Sequence, residues 1–389
     1  MVRVLSRSVL PGAANDLLYI ESVTARHLYI HVPFCSRRCS YCDFSIAVRR
    51  NVPVNEYLNA LAIELDVMGQ SVGPSLSTLY FGGGTPSHLG SEGVASLVEL
   101  VRARFGIDSE TEITLETNPE DVTPEAVAAW SRVGINRLSL GLQSFDDNAL
   151  QWMHRTHSAA DSSRAIATAR AGGISNLSVD LIFALPESLN RSWSDDLEKA
   201  IAVEPDHISL YGLTVERGTP LGRWEASGQV ISATDERYAE QFLEAHEATE
   251  AAGFKHYEVS NFGHPGKRSR HNSAYWSGAR YAGAGPSAHS FDGRTRRWNV
   301  APYAAWQSRL SKGESVNEGQ EELSDDNRRS EKVYLGLRTI DGYAATDSDL
   351  KVASTWKEQG WATIDGNVIR LSPEGWLRLD SLAAGLTGL

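Results

Sequence analysis

Six short apolar runs recur along the first two thirds of the 389-residue chain, and stretches with helical periodicity separate them. The runs span 28–32, 78–82, 113–117, 137–142, 177–183 and 208–213, and four helix-like stretches span 55–68, 92–105, 161–172 and 235–254. Strands that alternate with helices in this way pair in parallel through right-handed crossovers. Six units are too few for an eight-unit barrel, so this α/β pattern predicts a partial barrel or an open doubly wound sheet. In both, ligands bind at the carboxyl ends of the strands.

The last part of the chain has a different pattern. A helix is predicted over 327–339, and the segment 360–386 reads as two short strands about an Asp-Gly-Asn turn, followed by a helix. This pattern predicts a small winged-helix-like α+β domain. We place an N-terminal extension at 1–21, a core at 22–262 and a C-terminal domain at 263–389, with a boundary in the Gly- and Pro-containing segment 261–267.

Composition narrows the class of protein. The formal net charge of −12 argues against general binding of nucleic acid. No apolar run approaches the roughly 18 residues of a membrane span, and the N-terminus lacks the apolar stretch of a secretory signal. An odd number of cysteines in one short segment is not typical of a disulfide framework, which suits a reducing compartment. We therefore expect a cytoplasmic protein.

All three cysteines lie within eight positions, as C-x3-C-x2-C directly after the first predicted strand: Cys35, Cys39 and Cys42. A structural zinc site usually has four ligands in two separated pairs; His31 could supply a fourth, but the spacing is unusual for zinc. Simple packing of three buried thiols fits poorly with the charged residues beside them. A cubane iron–sulfur cluster takes one outer ligand per iron, so three thiolates leave one iron open. We predict a [4Fe–4S] cluster ahead of zinc or packing.

This cysteine motif after a first strand resembles the signature of the radical S-adenosylmethionine (SAM) superfamily. In that superfamily the amino and carboxylate groups of SAM chelate the open iron, and the reduced cluster passes an electron to the sulfonium. The resemblance implies a partial (β/α)6 radical SAM barrel with a [4Fe–4S] cluster and SAM as cofactors.

Further residues match the superfamily in order along the chain. The segment YFGGGTP at 80–86 resembles its glycine-rich motif, whose backbone approaches the ammonium group of SAM. The resemblance implies the following cofactor-binding residues: Tyr29, Tyr41, Gly83, Gly84, Thr85, Glu116, Gln143, Arg155, Asp180 and Thr214. In the family, GLPGQT commonly follows the aspartate, whereas this chain has ALPESL at 184–189. That difference puts the backbone of this turn in doubt.

The whole chain resembles the oxygen-independent coproporphyrinogen III oxidase family, including its C-terminal domain. The oxidases carry another cysteine two positions after the third, where this chain has Phe44, and it has no fourth cysteine. The haem chaperone subgroup, HemW, is similar to this chain in the tripeptide CDF and in an H-N-x-x-Y-W motif, here HNSAYW at 271–276. The resemblance implies a carrier that hands haem to acceptor haemoproteins. The alternatives are an oxidase that decarboxylates coproporphyrinogen III and a radical SAM enzyme with another substrate.

The HNSAYW segment contains the candidate haem residues. His271 offers an imidazole nitrogen to the iron, and Tyr275 and Trp276 offer flat ring faces to the porphyrin. His264 and His289 are competing ligand candidates. Residues 263–300 carry seven Lys or Arg residues against one acidic residue, which suits the two propionates of haem. The identity of the acceptor, peripheral membrane contact, a homodimer and cleavage of SAM are left open.

Overall fold

The structure is a computed structural model that describes residues 24–69 and 71–388, so the predicted N-terminal extension at 1–21 lies outside the described residues. In the first part, strands and helices alternate as predicted. The strands are β1 (His27–Val32), β2 (Phe34–Cys35), β3 (Ala47–Val48), β4 (Thr78–Gly83), β5 (Glu112–Thr117), β6 (Arg137–Gln143), β7 (Asn176–Phe183) and β8 (His207–Gly212). The helices are α1 (Val54–Met68), α2 (Gly90–Arg102), α3 (Pro124–Arg132), α4 (Asp147–Trp152), α5 (Ala159–Ala171), α6 (Trp193–Ala202), α7 (Pro220–Ala226) and α8 (Asp235–Ala251). The six predicted strands are therefore β1 and β4–β8, and the four predicted helices are α1, α2, α5 and α8.

The second part begins with short strands and ends in a compact unit. Its first elements are β9 (Lys255–Glu258), β10 (Asn261–Gly263), α9 (Arg270–Trp276), β11 (Tyr281–Ala284), β12 (His289–Phe291), β13 (Thr295–Asn299), α10 (Tyr303–Ser311) and β14 (Asn317–Glu322). The C-terminal unit, residues 325–388, contains α11 (Asp325–Leu337), β15 (Tyr343–Ala344), α12 (Asp347–Glu358), β16 (Ala362–Asp365), β17 (Val368–Leu371), α13 (Pro373–Trp376) and α14 (Leu379–Thr387). The predicted helix, strand pair and final helix of this unit are confirmed, and β15 extends the pair to three strands.

The main sheet is open and has twelve strands in the order β14-β13-β12-β11-β1-β4-β5-β6-β7-β8-β10-β9. The six predicted strands are parallel to one another in the order β1-β4-β5-β6-β7-β8 and form a partial barrel, and β10 pairs with β8 in the antiparallel direction. A seventh parallel strand, β11, pairs with β1 on the other side. The sheet thus continues past the predicted domain boundary at 262–263, and that division of the chain stays a prediction.

Alternation along the parallel strands separates an apolar outer face from a polar inner face. In β1, the side chains of Leu28, Ile30 and Val32 are fully buried in the main core, which the surrounding helices complete. The intervening Tyr29 and His31 face the inside of the partial barrel, where their side chains bond to each other. Because side chains of a strand alternate between its faces, each of these strands supplies both core and cavity residues.

No helix in the described ranges, 24–69 and 71–388, is long and apolar enough to cross a membrane.

Candidate functional site

The cysteine loop begins where β1 ends, and the short parallel pair β2 and β3 closes it. The amide of Ala47 donates to the carbonyl of Pro33 at 2.7 Å, and the amide of Arg49 donates to the carbonyl of Cys35 at 2.9 Å. These bonds hold the two ends of the loop together. All three cysteines are free and partly exposed, and they line one cavity of about 470 Å³, which we call the first cavity.

The three thiols lie around the wall of the first cavity. Across the described part of the chain, no group of three or more His, Cys, Asp or Glu side chains is placed to hold one metal ion. A cubane cluster requires a different arrangement of ligands, since its irons lie at separate corners and each takes one outer ligand. Three thiols that border one cavity are a donor set that fits such a cluster.

Two polar residues contact the cysteines from neighbouring segments, Thr85 just after β4 and Arg155 just after α4. The hydroxyl of Thr85 lies 3.5 Å from the sulfur of Cys35, and Nη1 of Arg155 lies 3.6 Å from the sulfur of Cys39. The other terminal nitrogen of Arg155 donates to Oδ1 of Asn118 at 2.7 Å. Burial raises the pKa of Cys35 to about 11, against the opposing effect of the Thr85 hydrogen bond. Because thiolates are the ligands, cluster binding must release protons from this loop.

The glycine turn after β4 packs directly against the cysteine loop. Gly83 has φ of 113°, a conformation that side chains rarely adopt, and its amide donates to Oε2 of Glu116 at 3.1 Å. A Cβ atom on Gly84 would lie 2.7 Å from the backbone of Pro33. The turn therefore requires glycine for close contact between the end of β4 and the loop. Its predicted approach to the ammonium group of SAM stays a prediction.

Two half-buried carboxyl groups face the first cavity from β5 and β7. Glu116 accepts a hydrogen bond from the hydroxyl of Tyr80 at 2.8 Å, and burial raises its pKa to about 7. Asp180 accepts from the hydroxyl of Ser139 at 2.9 Å and from that of Ser178 at 3.3 Å. Burial also raises the pKa of Asp180. Asp180, which the sequence places in an apolar run, lies on the polar inner face and has the hydrogen-bond partners that a buried carboxyl needs.

The first cavity gathers most of the residues predicted to bind cofactor. Besides the cysteines it is lined by Tyr41, Gly83, Gly84, Thr85, Glu116, Gln143, Arg155, Asp180 and Thr214. Gln143, at the end of β6, has a positive φ of 67°. Ser139 and Tyr211 also line the cavity and were missed, although the alternation of polar and apolar residues in β6 and β8 would have identified them. Cofactor binding by these side chains stays a prediction.

A second cavity, of about 880 Å³, adjoins the first and shares Phe44, Gly83 and Glu116 with it. Its walls come from β1, α9, the strands β11–β13 and α11. Aromatic side chains form much of its lining: Tyr29, Phe44, Tyr275, Trp276, Tyr281, Phe291 and Tyr334. Phe44, which stands where the oxidases have their additional cysteine, is 64% exposed. A wide aromatic cavity therefore lies beside the cysteine loop, and the predicted cofactor residue Tyr29 belongs to it.

His271 is buried and hydrogen-bonded, and its role as a haem ligand stays a prediction. It lies in the first turn of α9 with 1% of its surface exposed, beneath the wall of the second cavity. Its Nδ1 lies 2.7 Å from the hydroxyl of Thr78, and its Nε2 lies 2.8 Å from the hydroxyl of Tyr275. Burial lowers its pKa to about 3. Both nitrogens thus have partners in this arrangement, whereas the predicted Tyr275 and Trp276 do line the cavity.

The basic segment has less free charge than its sequence suggests. Arg294 pairs with Glu322 at 2.7 Å, and Arg297 pairs with Asp292 at 2.8 Å. Arg296, which lines the second cavity, pairs with Glu331 of α11 at 2.8 Å. Three of the predicted propionate contacts are therefore already bonded to carboxylates. For Arg294 and Arg296 the sequence could not show this, because Glu322 and Glu331 lie outside the segment, whereas Asp292 is the one acidic residue within it.

The chain matches a family model over part of its length and known proteins over nearly all of it. Residues 29–200 match the model of the radical SAM superfamily. The haem chaperone HemW of Mycobacterium tuberculosis is 34% identical over 368 residues, which cover 93% of this chain and 94% of that protein. The mitochondrial radical S-adenosyl methionine domain-containing protein 1 of Bos taurus is 34% identical, with coverage of 92% and 86%.

A solved structure shares the fold over nearly the whole chain. Coproporphyrinogen III oxidase (HemN) from Escherichia coli, a radical SAM enzyme, superposes with a TM-score of 0.79 and covers 95% of this chain and 92% of its own. Its sequence identity is 20%, so the likeness concerns the fold alone.

Proposed function

The chain belongs to the family of the haem chaperone HemW, within the radical SAM superfamily, and we propose from this that it binds haem and transfers it to acceptor haemoproteins. The observation that carries the proposal is the match with a haem chaperone over 93% of the chain. That match extends well beyond the radical SAM segment at 29–200, into the strands and the helix that wall the second cavity. The cytoplasmic location is part of the same proposal.

The proposal includes a [4Fe–4S] cluster on Cys35, Cys39 and Cys42, with SAM beside it in the first cavity. When bound, the cluster would supply an electron to the sulfonium of SAM. Arg155 contributes a permanent positive charge next to Cys39, which favours the anionic ligand set. Tyr41 packs among the same groups and lines the same cavity.

Glu116 and Asp180 would face the cationic cofactor. Their pKa values are raised by burial, and the negative charge of Asp180 raises that of Glu116 further. A positive charge in the first cavity favours the ionised form of both groups. SAM binding would therefore release a proton from Glu116, whose pKa is about 7, and the two carboxylates would orient the cofactor's amino and hydroxyl groups.

Phe44 supports the carrier over the oxidase. It replaces the additional cysteine of the oxidases with an apolar ring that borders both cavities. An apolar ring beside an aromatic cavity suits the retention of a flat porphyrin, and it supplies no thiol chemistry.

The first prediction tests the function itself. We expect the anaerobically reconstituted full chain to bind about one haem and to pass it to an apo-haemoprotein, because the second cavity is large and aromatic. Difference spectroscopy in the Soret region measures both steps, and the same preparation, supplied with SAM and a reductant, is assayed for decarboxylation of coproporphyrinogen III. Decarboxylation without stoichiometric haem binding would move the assignment to the oxidase.

A further inference from the structure

We infer that haem occupies the second cavity and that His289, rather than His271, is its axial iron ligand. This inference rests on the proposed haem-carrier function and specifies the site within it. The ligand is the imidazole that can bind the iron without losing a hydrogen bond inside the protein.

The other histidines at this cavity have both ring nitrogens engaged. His31 lies 3.2 Å from the hydroxyl of Tyr29 through Nδ1 and 3.0 Å from the carbonyl of Ser45 through Nε2. His271 is held in the same way between Thr78 and Tyr275. Ligation of iron by either residue would break a hydrogen bond inside the protein and leave its partner unsatisfied, which is unfavourable.

His289 is placed differently. It is the first residue of β12, it is exposed, and it lines the second cavity. Within the described residues, its ring nitrogens have no hydrogen-bond partner, and its ring stacks on Trp298 with centroids 6.1 Å apart. The stacking orients the imidazole and leaves its nitrogens for a ligand.

The strand that carries His289 directs a row of side chains into the same cavity. His289 and Phe291 lie on the same face of β12 and line the cavity, as does Ser287 just before the strand. Phe291 pairs in register with Tyr281 of β11, so an aromatic wall continues from the imidazole toward α9. A flat ligand stacked against this wall would lie beside the imidazole of His289.

The charge around His289 favours ligation. Burial, together with the positive charge of Arg296, lowers the pKa of His289. The neutral imidazole, which is the form that binds iron, therefore predominates at neutral pH. Arg296 lines the same cavity and supplies a cation near the haem propionates, where a propionate can compete with Glu331.

The second prediction is tested on the full chain with its cluster reconstituted, by haem titration and Soret spectra. We expect His289→Ala to weaken haem affinity at least tenfold and to shift the Soret band, and free imidazole to restore the band. His289→Met should bind haem with a different spectrum, because a thioether replaces the imidazole. His264→Ala is the matched control, since His264 stacks on Phe254 away from the cavity, and it should titrate like the wild type.

The outcomes distinguish a failure of the inference from a failure of the proposed function. A wild-type protein that binds haem, with an unchanged spectrum and affinity in His289→Ala, overturns the inference and leaves the carrier function standing. The inference is also overturned if His271→Ala, folded by circular dichroism, loses the Soret signal and free imidazole restores it. The iron ligand would then be His271. A wild-type protein that binds no haem overturns both.

Discussion

Ala184 is the residue that follows β7, and its backbone has a positive φ of 56°. Its amide donates to Oε1 of Gln241 at 2.7 Å, which fixes this conformation. The related family commonly has glycine here, in the turn where this chain reads ALPESL. The left-handed backbone conformation costs about 1–2 kcal/mol for a residue with a Cβ atom. This turn therefore has the backbone conformation of a glycine although its residue is alanine.

The third prediction follows from that strain. Ala184→Gly should raise the free energy of unfolding by about 0.5 kcal/mol, because the relief of strain exceeds the larger entropy that glycine loses on folding. The matched control is Ala167→Gly in the middle of α5, which should lower it by about 1 kcal/mol. Urea unfolding of both variants measures the difference. Equal destabilisation by the two substitutions would show that the turn is not strained.

At the same scale, the sequence identifies reactive residue types better than it identifies their partners. The three cysteines could be assigned to one site because they lie in one loop. His271 could be singled out too, but its bond to Thr78 joins residues 193 positions apart. No local pattern predicts such a contact, and it decides whether the imidazole is free for iron.

At the scale of elements, Glu64 on α1 connects three other parts of the chain. Its carboxyl accepts from the amide of Gly285 at 2.8 Å, from Nδ2 of Asn299 at 2.6 Å and from Nε1 of Trp306 at 2.9 Å. These partners lie after β11, at the end of β13 and in α10. The carboxyl is 4% exposed, and burial raises its pKa to about 7 despite the three hydrogen bonds. One buried acid thus fixes α1 to the edge of the sheet that begins at β11.

The fourth prediction is a pH dependence that Glu64 contributes. Its pKa is about 7 when folded against 4.5 when unfolded, so the folded state holds the proton more tightly. The stability it contributes is therefore fully present below pH 4.5 and is lost as the pH rises through about 7. Between pH 5.5 and pH 8 the free energy of unfolding of the wild type should fall by about 2 kcal/mol more than that of Glu64→Gln.

Chemical unfolding at the two pH values measures this loss. Glu240→Gln on α8, where the side chain is exposed, is the control and should follow the wild-type pH dependence. Parallel pH profiles for the wild type and Glu64→Gln would contradict the raised pKa.

Strands and helices could be predicted where the sequence pattern is local. They could not be predicted where a strand pairs with another that is distant in the sequence. The strands β4–β8 each follow a helix in a series of βα units that starts from β1, so their order and direction could be derived from the sequence. β11 is four residues long and pairs with β1, some 250 positions earlier. Its sequence, YAGA, has three small residues after the tyrosine and lacks the apolar run that identified the other strands. Glycine at 283 lets the backbone of His289 lie close.

At the scale of the whole molecule, the C-terminal unit links the two edges of the open sheet. In the middle of α11, Glu331 pairs with Arg296 of β13. Just past the C-terminal end of the helix, Arg338 pairs with Glu258 of β9 at 2.8 Å, and its guanidinium lies 4.2 Å from the ring centre of Trp276. β13 and β9 belong to opposite sides of the sheet. The helix thus spans the gap that a closed barrel would fill with strands, and it forms one wall of the second cavity.

The fifth prediction tests this link through the buried ion pair. The side chain of Arg338 is 16% exposed and that of Glu258 is fully buried, so removal of the cation leaves an unpaired buried carboxyl. Arg338→Met should lower the free energy of unfolding by about 3 kcal/mol, and Arg338→Met with Glu258→Gln should recover much of that loss. Arg294→Gln is the control: its pair with Glu322 is exposed on both sides, so it should cost about 0.5 kcal/mol or less.

The same variants connect the architecture to haem binding. Because Arg338 packs on Trp276 and follows the helix that walls the second cavity, Arg338→Met should also weaken haem binding without shifting the Soret band, since the iron ligand is untouched. Urea unfolding and haem titration on the same preparations give both readings. If Arg338→Met weakened haem binding no more than Arg294→Gln, the second cavity would keep its shape without this link. The haem would then depend on β11–β13 and α9 alone.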